Sequence, residues 1–180
     1  MAKSDPAILK EVSVSLPFGI GSARWQTDST ERRAAWSLYV ELATRIAVQP
    51  LEANEGLARE ALNSLYSLFG TTREILKEAG PGVGASKHSV GGIAIMVLNN
   101  GLRPFLAKWH PLLQAWETKR LTDISMKQHE QDWTEEPKFR EELAKLRNNL
   151  EQYATMVRTV FDKKAIHRIG YSYKEKAPDR

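Results

Sequence analysis

From Phe139 to Val160 the apolar residues Phe139, Leu143, Leu146, Leu150, Tyr153, Val157 and Val160 fall at alternating steps of four and three without a break. That spacing puts all seven on one stripe of an α-helix, the seam of a helix packed nearly parallel or antiparallel to its neighbours. A second seam repeats the pattern: Leu98, Leu102, Phe105, Trp109, Leu112 and Trp116, widened by Leu106 and Leu113. A chain with two such ridges has to bury them against other helices, and each is the natural cover for the other.

Two further helical patterns complete the plan. One runs from about Ser29 to Val48, with Ser29 or Thr30 as cap and Trp36, Tyr39, Ala43 and Ile46 recurring until Pro50 stops it. The next runs from about Ala53 to Ala79 through Leu57, Ala61, Leu65, Leu68 and Leu76, and "GPGVGASKHS" ends it. The third pattern covers about Ser89 to Glu117 and the fourth about Pro137 to Asp162. Four long helices with short or medium connections imply an all-α fold, an antiparallel four-helix bundle over residues 29–162. Residues 118–136 read as a surface connection holding one buried tryptophan, Trp133, or as a short extra helix.

Two flanking segments, 1–28 and 163–180, carry a different signal. Val12, Val14 and Leu16 alternate, as do Ile169, Tyr171 and Tyr173, so the two ends are expected to pair as a small two-stranded ribbon, or the second to form only a basic tail. From Met156 onward seven Lys/Arg face three acids, while the preceding 155 residues balance. The net charge of +4 therefore belongs to the C-terminal segment, and any nucleic acid drawn by long-range attraction would meet Lys163, Lys164, Arg168, Lys174 and Lys176 first.

With 180 residues, 42% hydrophobic and 27% charged, the chain is long enough for one sizeable core. It has no cysteine, which excludes disulfides, thiolate metal sites and cysteine nucleophiles. The first residues lack the apolar stretch of a secretory signal, and the longest unbroken apolar run, Ile93–Leu98, is six residues. A membrane span needs about 20. The expectation is a cytoplasmic chain without membrane partners.

The residues with chemistry are few. Arg103 and His110 lie seven apart on the third helical pattern, each followed by a proline, at the margin between its apolar seam and water. This Arg-x6-His spacing resembles the R-x4-6-H signature of HEPN ribonucleases, helical domains that dimerise to cleave RNA without metal. The resemblance implies His110 as general acid or base and Arg103 as the cation facing the phosphate. It departs from the family at Pro104, where a polar residue is usual. The alternative is that both side chains are border groups bonded to neighbouring helices, and this reading is preferred.

Other motifs fail on spacing. In "GPGVGASKHS" Lys87 stands between Ser86 and His88 and follows a helix, where a phosphate-binding loop needs Gly before Lys, Ser or Thr after it, and a preceding strand. The glycines of "PFGIGSAR" form a bare G-x-G, which reads as a plain turn. His88, His110, His129 and His167 form no pair at metal-ligand spacing, so neither metal nor cofactor is expected. Of the five tryptophans, Trp36, Trp109 and Trp116 fit core seams, whereas Trp25 and Trp133 fall in connections and are candidate interface anchors.

"SLYSLFGTTREIL" followed by "LRPFLAKWHPLLQAWE" resembles an uncharacterised bacterial all-helical family encoded in multi-gene cassettes, some of the anti-phage type. The resemblance implies no catalytic residues. It implies an accessory or regulatory subunit that assembles with itself or with a protein partner. The sequence therefore favours a non-enzymatic interaction module, with the ribonuclease and tail-mediated nucleic-acid binding as alternatives.

Overall fold

The structure, a computed structural model, describes residues 12–25, 28–45, 47–48 and 55–162. The fold is all-α apart from one N-terminal hairpin. Strand β1 (Val12–Leu16) pairs antiparallel with β2 (Gly21–Trp25), Val12 opposite Trp25 and Leu16 opposite Gly21. The first strand of the expected ribbon takes the next segment along as a partner. Ile169, Tyr171 and Tyr173 lie outside the described residues. The turn explains the local choice. Phe18 and Gly19 both have positive φ, +60° and +68°, the signature of the tight turn whose twist suits a hairpin.

Helices α1 (Ser29–Thr44), α2 (Ala58–Ala79), α3 (Val90–Met96), α4 (Arg103–Glu117), α5 (Met126–Gln131) and α6 (Glu136–Phe161) follow. Helix α1 lies against α6 and α2, and α2 lies against α4. The cap of α1 is Asp28, one residue before the expected Ser29, with Oδ1 accepting from the amides of Thr30 and Glu31 at 2.8 and 2.7 Å. A carboxylate there also meets the positive end of the helix.

Between α3 and α4 the chain stays helical through a wider π turn, Val97–Leu102, so residues 90–117 form one long helix. Pro104 has no amide to give to the carbonyl four residues back, and the Arg103 amide reaches the Leu98 carbonyl instead, five residues back. The same turn brings Gly101 against the hairpin. A Cβ there would lie 2.6 Å from the Phe18 ring, so the missing side chain is what lets the hairpin dock. At the other end, a Cβ on Gly92 would fall 2.1 Å from the Ser86 carbonyl oxygen. The "VGG" opening of α3 is thus shaped by the backbone that precedes it.

The two ridges meet through large side chains. Phe105 and Trp109 of α4 lie 5.8 and 5.4 Å, centroid to centroid, from Phe139 of α6, and Trp133 stands edge-on to Trp109 at 5.9 Å. Trp109 is sealed from solvent, and its indole Nε1 donates to Glu142 Oε2 at 2.9 Å. Residues 90–117 are long and apolar enough to cross a membrane, and more than half of the most apolar stretch is buried against the rest of the protein. Two expected core positions are corrected. Leu112 is 42% exposed and Trp36 53% exposed, while Leu113 and the stripe Ala34, Ala35, Leu38 and Leu42 take the inward places.

Candidate functional site

The Arg103/His110 pair does not come together. Seven residues on one helix separate the two side chains by about 10 Å of axial rise. Arg103 is exposed, forks the Asn99 amide oxygen with Nε and a terminal nitrogen at 3.1 and 3.0 Å, and covers the Phe69 ring at 5.5 Å. His110 belongs to another group of residues altogether.

That group is a polar corner where α2, α4 and α5 converge. Arg59 of α2 grips Glu117 with two nitrogens, at 2.9 and 2.5 Å, and approaches His110 Nδ1 at 3.2 Å. A guanidinium can only donate, so Nδ1 accepts and the imidazole proton sits on Nε2. Nε2 is buried without a hydrogen-bond partner among the described residues. Burial, then the Arg59 charge, pushes the imidazole below its ordinary range, with Glu117 opposing. His110 is a neutral acceptor that helps hold Arg59 in place. Tyr66 covers its ring edge-on at 5.8 Å.

Next to it, Glu130 is 8% exposed and accepts the Ala58 amide at 2.8 Å, and Arg140 stands at 3.5 Å. Leu57 has no side chain with which to cap α2, and Glu130 does it from 72 residues away. Glu31 does the same for α3, accepting the Val90 amide at 3.3 Å. Burial raises both carboxyls above the usual carboxylate range. Trp116 and His129 stack in parallel 4.6 Å apart and exchange bonds, each ring nitrogen donating to the other's carbonyl at 2.8 Å. These groups border an open notch of about 350 Å³, counting solvent at its mouth, lined also by Leu113 and Arg120. Arg59 and Glu117 answer each other there, Arg120 turns to the Ile124 carbonyl at 2.6 Å, and what the corner does chemically is brace three helices.

The surface on the far side of α1 differs. Trp36, Tyr39 and Phe161 form an aromatic ridge, with Phe161 edge-on to Trp36 at 5.3 Å and to Tyr39 at 5.5 Å. Val40, 36% exposed, continues it one turn beyond Trp36. Arg32 and Arg33 precede Trp36 by four and three residues, so they share its face. Both are exposed, and among the described residues neither forms an ion pair. Arg32 reaches only the Phe161 carbonyl, at 3.4 Å. Arg158 covers Tyr39 at 5.8 Å.

Of the two tryptophans expected as anchors, Trp133 is 5% exposed and packed on Trp109 and Phe139, a core side chain with no face left for a partner, which corrects its reading as an anchor. Trp25 ends β2 opposite Val12. Lys163, Lys164, Arg168, Lys174 and Lys176 lie outside the described residues. Among the described residues no group of three His, Cys, Asp or Glu side chains could hold a metal ion. Trp36 was hidden by its size: large aromatic residues at helical spacing read as core, yet small alanines occupy that place. No family model, curated protein or solved structure matches this chain.

Proposed function

We propose that this chain is a non-enzymatic helical interaction module, an accessory or regulatory subunit of a multi-component bacterial assembly acting in the cytoplasm, with an antiparallel four-helix bundle as its framework. The observation that carries the reading is the exposed Trp36 ridge. An indole 53% open to solvent, backed by Tyr39 and Phe161 and flanked by two arginines without an ion pair among the described residues, has the Trp, Tyr and Arg composition that dominates binding energy at protein interfaces. A side chain of that size with half its surface in water leaves much area free for a contact. The resemblance to helical proteins of anti-phage cassettes supports the same role.

The test pairs Trp36→Ala with Arg103→Ala/His110→Ala in complexes recovered from the native host. Loss of the complex in the first and its retention in the second is the expected result. RNA incubated with purified protein and EDTA supplies the control for the ribonuclease alternative. Cleavage abolished by His110→Ala overturns the proposal.

A further inference from the structure

Resting on the reading of the Trp36 ridge as a contact face, we infer that its occupant is an acidic polypeptide segment, one carrying an aromatic or aliphatic anchor between carboxylates. The charge around the ridge decides among the occupants. Arg32 and Arg33 share the Trp36 face of α1, and Arg158 covers Tyr39 while spending part of its charge on Asp162 at 3.3 Å. Two guanidiniums are left without a carboxylate among the described residues.

A second copy docking on a two-fold axis through this face would set those arginines against themselves, like charge on like charge. The chain's own residues 163–180 hold six Lys/Arg against two acids and carry the same sign. A nucleic-acid strand would meet the right sign. It gains its affinity from many phosphate contacts, however, and among the described residues the face itself offers only three guanidiniums, one of them shared with Asp162. It also has little use for the exposed aliphatic surface of Val40. Carboxylates spaced around one apolar side chain satisfy both halves of the face: the anchor covers Trp36 and Val40, and the acids take Arg32 and Arg33 in the forked geometry that guanidinium groups favour.

The experiment selects a displayed library of random peptides on the full chain, with Trp36→Ala as the counter-selection. The expected outcome is enrichment of net-negative peptides containing Trp, Phe or Leu. Synthesised, they should bind Trp36→Ala and Arg33→Glu about tenfold more weakly, and weaken several-fold as salt rises to about 0.5 M. Enrichment of neutral or basic peptides that still need Trp36 leaves the contact face standing and overturns its acidic partner. The acidic partner is likewise overturned if oligo(dT) or a peptide of residues 163–180 binds the ridge more tightly than any selected sequence, or if Trp36→Ala converts a dimer into a monomer. No enrichment over Trp36→Ala overturns both the partner and the face.

Discussion

The polar corner of α2, α4 and α5 and the aromatic ridge on α1 and α6 use the same residue types to opposite ends. In the corner, Arg59 has Glu117, Glu130 has the Ala58 amide, and Trp116 and His129 answer each other. On the ridge, Trp36 is half open to water, and among the described residues Arg33 forms no ion pair. Groups that the fold satisfies are part of its stability. Groups left open to solvent are the ones a partner can use: His110 has an unpaired Nε2, but that atom is buried, whereas Trp36 is 53% exposed.

Breaking the corner should have the largest effect. Glu130→Ala strips the cap from α2 and leaves Arg140 with one acid fewer, and the expected loss is about 3 kcal/mol in urea unfolding. Arg59→Ala comes next, at roughly 2 kcal/mol, since it leaves Glu117 and Nδ1 of His110 unpaired. Its half-exposed setting lets water take up part of the loss.

Acidity sharpens the contrast further. Because the folded protein holds Glu31 and Glu130 above their ordinary value, their contribution to stability is complete below pH 4.5 and is lost as pH rises through the raised values. His110, held below its ordinary value, works the other way: its contribution is complete above pH 6.5 and is lost as pH falls through the lowered one. Glu130→Gln should therefore flatten the fall in stability above pH 4.5, measured as unfolding midpoints across the range. A steeper fall in the variant would contradict the assignment. The smallest effect belongs to Arg103→Ala, whose bonds to Asn99 are exposed, at about 0.5 kcal/mol or less by the same unfolding measurement.

How much of this was legible in the sequence follows from what periodicity can carry. The seam of α6 is buried as its spacing requires, because every residue from Phe139 to Val160 on that stripe meets another helix. On α4 the inward stripe runs through Phe105, Leu106, Trp109 and Leu113, so Leu113 and not Leu112 stands in the core. On α1 the pattern offered two faces, and the bulk of Trp36 pointed to the wrong one. Ala34 and Ala35 take the inward face, where α1 packs closely on α6. The caps supplied by Glu31 and Glu130 had no local trace, since each carboxylate and its amide lie 59 and 72 residues apart. The Arg59 contact to His110 was hidden for the same reason: the pairing of α2 with α4 exists only after folding.

Urea unfolding of the Trp36→Ala/Arg33→Glu double variant tests the division between braced corner and open ridge most directly. The expected loss is no more than about 2 kcal/mol, because Arg33 is exposed and Trp36 gives up only its half-buried contacts to Tyr39 and Phe161. A loss of several kcal/mol would make the ridge a structural element and remove the ground for treating it as a contact face.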